Sequence, residues 1–321
     1  MEKAAHLRTG RMAALVLSLL LGVCLSGCSL LTPSRTEAAR NREQVAPALD
    51  ASSLVEEGVL TVALDTADAP QGMTGTDGEV TGYYADVARA LAQRLGLKVA
   101  FVSATSASNS LPDGSADIFL GAAASVSDDE VTVFGSCLED APALFVKDVD
   151  AATVSAGTLS TMTVGVQTSS AAADALAKAG VTAEQKAYAN VNECFDALAS
   201  GEVDCVACDA TAGAYLARAY EGVGFAGTLG AVSVSGVAVL SSASDLSDEV
   251  STAFEEIASD GTLSAVHARW YGSLPSSLSD TLVNGVTLSE DDGQDAPADT
   301  PASSSDSSSE VDLSDINRFD G

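Results

Sequence analysis

The sequence predicts an α/β fold of two similar lobes facing each other across a cleft, and three observations carry that expectation. A short run occurs twice: Leu111-Pro-Asp-Gly114-Ser-Ala-Asp117-Ile-Phe-Leu120 and Leu198-Ala-Ser-Gly201-Glu-Val-Asp204-Cys-Val-Ala207 share the spacing L-x-x-G-x-x-D followed by mostly apolar residues. Each copy reads as a helix end, a glycine able to take the left-handed conformation that stops a helix, and a buried strand, the return half of a β-α-β unit. Ahead of the first copy, Tyr84, Val87, Ala88, Leu91 and Leu95 fall at helical spacing between two strand-like runs, 58–64 and 97–102. Late in the chain, residues 232–240 form another mostly apolar run, placed to carry the chain back to the first lobe, so that two crossovers join the lobes.

The first element is not part of the fold. Lys3, Arg8 and Arg11 precede an apolar run over 12–25, too short to span a bilayer as a helix. Residues 1–27 are therefore read as a signal peptide. Leu25-Ser26-Gly27-Cys28 resembles the bacterial lipobox, which implies cleavage before Cys28 and a diacylglycerol on its sulfur. The competing reading is an ordinary signal peptide with an incidental Cys28. Residues 28–53 then make a polar, Ala-rich tether between lipid anchor and fold.

Lobe 1 is expected over 54–147 and again over 234–275, with lobe 2 between them at 148–233. In lobe 1, Gly72, Gly75 and Asp77-Gly78 mark a hairpin after the first strand, Gly96 ends the helix, and 143–147 reads as a strand leading out. Lobe 2 offers a strand at 163–166, a helix over 171–179 stopped by Gly180, a helix at 191–198 before the second copy of the repeat, and a helix at 214–220. In the return segment, Val250, Ala253, Phe254 and Ile257 make an apolar helical face that Gly261 terminates, and Leu263, Val266 and Trp270 fall on a last helix. Residues 276–321 are assigned to an acidic, disordered tail. From Glu290 onward ten Asp and Glu face the single Arg318, around a Ser-rich stretch at 303–309, a composition that buries too little apolar surface to fold.

The net charge of −30 becomes more negative when residues 1–27 leave, and such a surface repels phosphate backbones, which argues against nucleic acid as a partner. Beyond Cys28, the mature chain keeps Cys137, Cys194, Cys205 and Cys208, which allow three complete pairings that sequence does not choose between. Cys205 and Cys208 lie three apart on a strand and so point to opposite faces, which argues against a shared metal. They read as small buried strand residues, with a disulfide from one of them to Cys194 as the alternative. His267 is the only histidine after residue 27, so no Ser-His-Asp, Cys-His or metal constellation is available, and no cofactor is expected.

Several stretches, taken in order, resemble one family. Gly82-Tyr-Tyr-Ala-Asp86-Val87, Arg94-Leu-Gly-Leu-Lys-Val99, Thr163-Val-Gly-Val-Gln167, Val191-Asn-Glu, the run from Asp204 to Asp209, Asp260-Gly-Thr-Leu263 and Trp270-Tyr-Gly272 are similar to the extracytoplasmic solute-binding proteins of polar amino-acid ABC transporters. The likeness covers roughly 54–272. It implies the type 2 periplasmic-binding fold, with two hinge crossovers and closure on a ligand by hinge motion.

The resemblance also implies site residues. Asp209 matches the family aspartate that pairs with the ligand ammonium, and Asp65 an acidic position that meets cationic side chains; strand-end turn roles are the competing readings for both. Ser169 and Ser170 match small hydroxyl residues before a helix whose free N–H groups receive an anion, against simple capping. Ser125 and Ser127 match hydroxyl positions after the strand of the first repeat. Two departures stand out. Asp68, Ala69, Pro70 and Gln71 occupy the place of an aromatic pair, leaving only Met73 or Tyr83 to supply a wall. Glu130 stands where the family carries an arginine that clamps the ligand carboxylate.

The expected function is a lipid-anchored, monomeric substrate-binding component of an ABC importer on the extracytoplasmic membrane face. It would hand a small amine-bearing or cationic solute to a membrane permease, because Asp65, Asp68, Glu130 and Asp209 make the cleft acidic. The alternatives are a degenerate binding module of this fold used for sensing or surface interaction and, behind it, a dehydratase-like enzyme.

Overall fold

The computed structural model describes residues 49, 53–125, 128–148 and 153–288. The signal peptide, Cys28, most of the tether, Ser127 and the acidic stretch from 289 onward lie outside the described residues.

Strand β1 (Val59–Leu64) leads through the hairpin β2 (Met73–Thr74) and β3 (Val80–Thr81) into helix α1 (Tyr83–Leu95), followed by β4 (Lys98–Ser103), the short α2 (Ala107–Ser110) and β5 (Ile118–Ala123). Helix α1 forms where the apolar stripe predicts it. Val87 and Leu91 are fully buried, and Gly96 ends the helix at φ 70°, its N–H bonding back to Ala92 and Gln93 carbonyls. A long edge strand, β6 (Val131–Asp140), precedes the first crossover.

The second lobe holds β7 (Pro142–Lys147), α3 (Ala156–Leu159), β8 (Thr163–Gln167), α4 (Ala171–Lys178), β9 (Glu184–Tyr188), α5 (Val191–Ser200), β10 (Cys205–Asp209), α6 (Ala210–Ala217) and β11 (Val223–Thr228). Strand β12 (Ser233–Leu240) returns to the first sheet, and α7 (Ser244–Ser259) and α8 (Thr262–Tyr271) follow. The sheets run β4-β1-β5-β12-β6 and β11-β7-β10-β8-β9. In each, parallel strands form one side, and a strand antiparallel to its neighbours, β12 or β7, arrives through a crossover. Strand β7, read from sequence as leaving lobe 1, is thus built into the sheet of lobe 2, because the crossover falls at 140–142.

The repeated run has a definite structural task. Asp117 accepts hydrogen bonds from the Val55 and Thr61 N–H groups at 2.7 and 2.6 Å, and Asp204 accepts from the Thr163 N–H at 2.8 Å. The backbone N–H of each aspartate returns a bond to the carbonyl of the same strand residue, Thr61 or Thr163. Each aspartate therefore pins the start of one parallel strand to its neighbour. Gly201 stops α5 at φ 77°; Gly114 is also left-handed, although only the four-residue α2 precedes it. The four cysteines are free and buried, so the disulfide alternative is not taken up. Cys205 faces the core of lobe 2 and Cys208 the opposite face of that sheet, as their spacing on a strand requires.

Residues 276–288 correct the expected tail boundary and add a third connection between the lobes. Leaving α8, the chain is held by Glu139 of β6, whose carboxylate accepts from the Leu278 N–H at 2.6 Å and the Ser277 hydroxyl at 3.2 Å. It then runs onto lobe 2. Thr228 exchanges backbone bonds with Thr281 and Val283, and the Asn284 carbonyl accepts from Ala156. Leu278, Val283 and Val286 are buried, so this strap carries apolar area that a composition-based reading of the tail passes over.

Gly227 makes room for the strap. It sits at φ +144°, and a Cβ there would lie 2.8 Å from both the Thr281 carbonyl oxygen and Val283 Cγ2. Gly227→Val is therefore expected to destabilise the protein by about 2–3 kcal/mol in chemical denaturation, through backbone strain and an expelled strap. An unchanged midpoint would show that the strap contributes nothing to the fold.

Candidate functional site

Between the two sheets lies a cleft of about 990 Å3. Strand ends and crossovers build it, since parallel strands of both lobes direct their C-terminal ends there. Lobe 1 contributes Asp68 and Gln71 from the loop after β1, Tyr84 from α1 and Ser125 after β5; the crossovers contribute Asp140 and 229–233; lobe 2 contributes Asp209 and one face of α4.

The inner wall is a linked polar network. Gln71 Nε2 donates to Thr211 Oγ1 at 3.0 Å, and that hydroxyl donates to Asp140 Oδ2 at 2.6 Å. Asp140 Oδ1 accepts further bonds from the backbone N–H groups of Thr211 and Ala141, at 3.1 and 2.9 Å. Lobe 1, the hinge and lobe 2 are thereby tied in one chain. Gln71 is only 8 % exposed, and its Oε1 is buried without a hydrogen-bond partner, an unsatisfied acceptor in the cleft wall. Tyr84 forms the adjoining wall. Its hydroxyl shares a 2.6 Å hydrogen bond with Ser235, and its ring lies so close to β5 that a Cβ at Gly121 would come within 2.8 Å of it.

Four carboxylates line this space, and three of them, Asp68, Asp140 and Asp209, hold their protons more firmly than usual. Desolvation pushes Asp68 up to about 6, with further contributions from the charges of Asp65 and Asp209. Asp140 is also pushed up to about 6, by desolvation first and then by Asp209, against the hydrogen bonds it accepts. Desolvation raises Asp209 as well. The walls thin the hydration of all three while leaving them open to an incoming ligand. Such clusters mark functional sites more often than structural ones.

The sequence-predicted site residues separate into two groups. Asp68, Ser125 and Asp209 line the cleft. The Asp65 carboxylate instead accepts from the Ala67 N–H at 2.8 Å, a local turn, and it influences the cleft only through its charge on Asp68. Glu130 is exposed and outside the cleft lining; its backbone bonds to Asp128 and Ser241. Ser170 caps α4, its hydroxyl accepting from the Ala173 N–H at 3.2 Å, and Ser169 takes a left-handed turn at φ 58°. One face of α4, from its first residue Ala171 through Asp174 and Ala175 to Lys178, meets the cleft, while Ser169 and Ser170 are not among the residues that line it. Tyr83 is fully buried, its hydroxyl donating to the Cys137 carbonyl, and Met73 lies in the core, so Tyr84 supplies the aromatic wall in place of either.

Sequence reasoning missed Asp140, Gln71 and Thr211. Asp140 follows an unrecognised edge strand, and the other two acquire meaning only by meeting it. Thr211→Val is expected to raise the Asp140 proton affinity further and to weaken solute binding about tenfold by calorimetry, the loss of one charge-assisted bond. An unaltered affinity would remove Thr211 from the site.

Fold and cleft together have the two-lobed architecture of the type 2 periplasmic-binding class. Residues 60–135 match the family described as bacterial extracellular solute-binding proteins, family 3. Solved structures with the same fold include an ancestral cationic amino acid solute binding protein, 25% identical over 67% of this chain and 96% of its own, with a TM-score of 0.56. The L-cystine solute receptor of Neisseria gonorrhoeae, in its unliganded open conformation, is 20% identical over 68% of this chain and 95% of its own, with a TM-score of 0.58. A polar amino acid ABC uptake transporter substrate binding protein from Streptococcus thermophilus is 19% identical over 70% and 90%, with a TM-score of 0.61. No curated protein matches the chain.

Proposed function

We propose that this protein is the substrate-binding component of an ABC importer, held at the extracytoplasmic membrane face by lipid on Cys28, and that it carries a small cationic or amine-bearing solute to a membrane permease. The observation that carries the ligand class is the convergence of Asp68, Asp140 and Asp209 on one cleft, beside the unpartnered Gln71 Oε1. Lost hydration raises the proton affinity of all three, and the charge of Asp209 adds repulsion at Asp68 and Asp140; a bound cation relieves both. The likeness to an ancestral cationic amino acid solute binding protein supports the same charge preference. Binding rather than catalysis is the activity proposed, in line with the likeness to solute-binding proteins.

A ligand that binds only the folded state raises the melting temperature. Thermal-shift measurements across basic amino acids, amines, neutral amino acids and dicarboxylic acids are therefore expected to show stabilisation by cationic members only. Stabilisation by a dicarboxylic acid would refute the reading. Metabolic labelling with a fatty acid should mark the wild-type chain and spare Cys28→Ala; label on both would dismiss the anchor.

A further inference from the structure

The inner wall of the cleft commits its side-chain donors to the protein itself. Gln71 Nε2 is committed to Thr211, the Thr211 hydroxyl to Asp140, and the Tyr84 and Ser235 hydroxyls to each other. The carboxylates of Asp68, Asp140, Asp174 and Asp209 line the space left to a ligand, beside the hydroxyl residues Ser125 and Thr287. Among the described residues, Lys178 is the only cation that lines the cleft; it is already engaged within the protein and lies one helical turn from Asp174. An ammonium group is all donor and no acceptor, whereas a ligand carboxylate would find no uncommitted cation here.

The charge is also distributed. Asp68 belongs to lobe 1, Asp140 to the hinge, and Asp174 and Asp209 to lobe 2. Among the described residues no three acidic, His or Cys side chains come together as ligands of one metal ion. Between the acids lie apolar surfaces, including Leu138, Leu229 and Val234, suited to methylene groups.

We infer that this cleft selects an aliphatic diamine, a dication without a carboxylate, over an amino acid carrying the same side-chain amine. The inference rests on the proposed reading that the interlobe cleft is the solute site. Desolvating two ammonium groups is offset only where each finds carboxylates, and the four acids supply that at separated points.

Calorimetric titration of the purified full-length protein with putrescine, cadaverine, L-ornithine, L-lysine and butylamine at about pH 7.5 tests it. Each diamine is expected to bind at least about tenfold tighter than its amino-acid counterpart, ornithine for putrescine and lysine for cadaverine, and at least about tenfold tighter than butylamine, a difference of roughly 1.4 kcal/mol per tenfold. If ornithine or lysine equals or exceeds its diamine, the inference fails while the cationic-solute reading stands. If butylamine equals putrescine, a single ammonium suffices and the inference fails. If a folded sample binds none of the five, both fall. Asp174→Asn should reduce diamine affinity more than butylamine affinity; equal effects on the two would also count against a second ammonium site.

Discussion

Asp209→Asn is expected to raise the melting temperature of the ligand-free protein at about pH 7.5 by roughly 3 °C, and to abolish solute binding. Asp209 caps α6 without any side-chain hydrogen bond to the helix, so the substitution costs no cap. Its charge contributes to the raised proton affinities of both Asp68 and Asp140. Removing it relieves repulsion worth about 1 kcal/mol after allowing for water in the cleft. The same charge is what a bound cation needs, so affinity should fall by at least about 100-fold. Differential scanning fluorimetry and titration calorimetry read the two effects. A lower melting temperature, or unaltered affinity, would show that Asp209 is a structural turn residue.

Acidification is expected to act in opposite directions on binding and on stability. Asp68 and Asp140 titrate near 6 in the fold against a reference of 3.8. Folded-state values above the unfolded ones mean that the folded chain binds these protons more tightly. Their contribution to stability is therefore fully present below the unfolded value and is lost as pH rises through about 6. The ligand-free protein should accordingly gain about 1 kcal/mol between pH 7 and pH 5, and Asp209→Asn should gain less because its two neighbours titrate lower. Cation binding requires the carboxylates ionised, so affinity should fall about tenfold or more for each pH unit below 6, with protons released on binding. Calorimetry in buffers of different ionisation enthalpy counts those protons. Affinity independent of pH between 5 and 7 would place the solute away from Asp68 and Asp140.

A cleft that stores repulsion has a functional consequence. Under the proposed reading, the empty protein holds Asp68, Asp140 and Asp209 in one cleft at a cost that a bound cation would offset, with the crossovers as the hinge. Gln71, Thr211 and Asp140 connect loop, hinge and lobe 2 by hydrogen bonds. Trp270 makes a second bridge. Its indole N–H donates to Asp86 on α1 at 2.9 Å, and its ring stacks on Tyr215 of α6, 6.0 Å away. Together with the strap anchored on Glu139, these contacts constrain how the lobes separate.

Periodicity and local chemistry were enough to read α1, α5, α7 and α8, the parallel strands β1, β4, β8 and β10, and the return strand β12. These elements bury a face of their own, and burial imposes an apolar pattern on the residues. The repeat signalled a real duplication, and the structure adds its reason: Asp117 and Asp204 tie neighbouring strand starts together. Strands β6, β9 and β11 did not announce themselves. Strand β9 reads Glu184-Gln-Lys-Ala-Tyr188 and is exposed along most of its length, while β11 contains two glycines; edge strands need little apolar surface, so propensity is a weak guide to them. The strap went unread for a related reason, its few apolar residues lying next to a polar, acidic stretch.

By itself the sequence determined the α/β class, the duplicated lobes, the acidic character and the aspartate at the end of β10, because each is written in residues close together along the chain. Only the tertiary structure decided which acids share the cleft. The Asp65 carboxylate turns to the nearby Ala67 N–H and Glu130 stays exposed outside the cleft lining, while Asp140, Asp174, Gln71 and Thr211, up to 140 residues apart, meet at one place. A carboxylate's proton affinity and its value to a ligand depend on the charges and water around it in space, and those neighbours are set by how the crossovers place the two sheets, not by position along the chain.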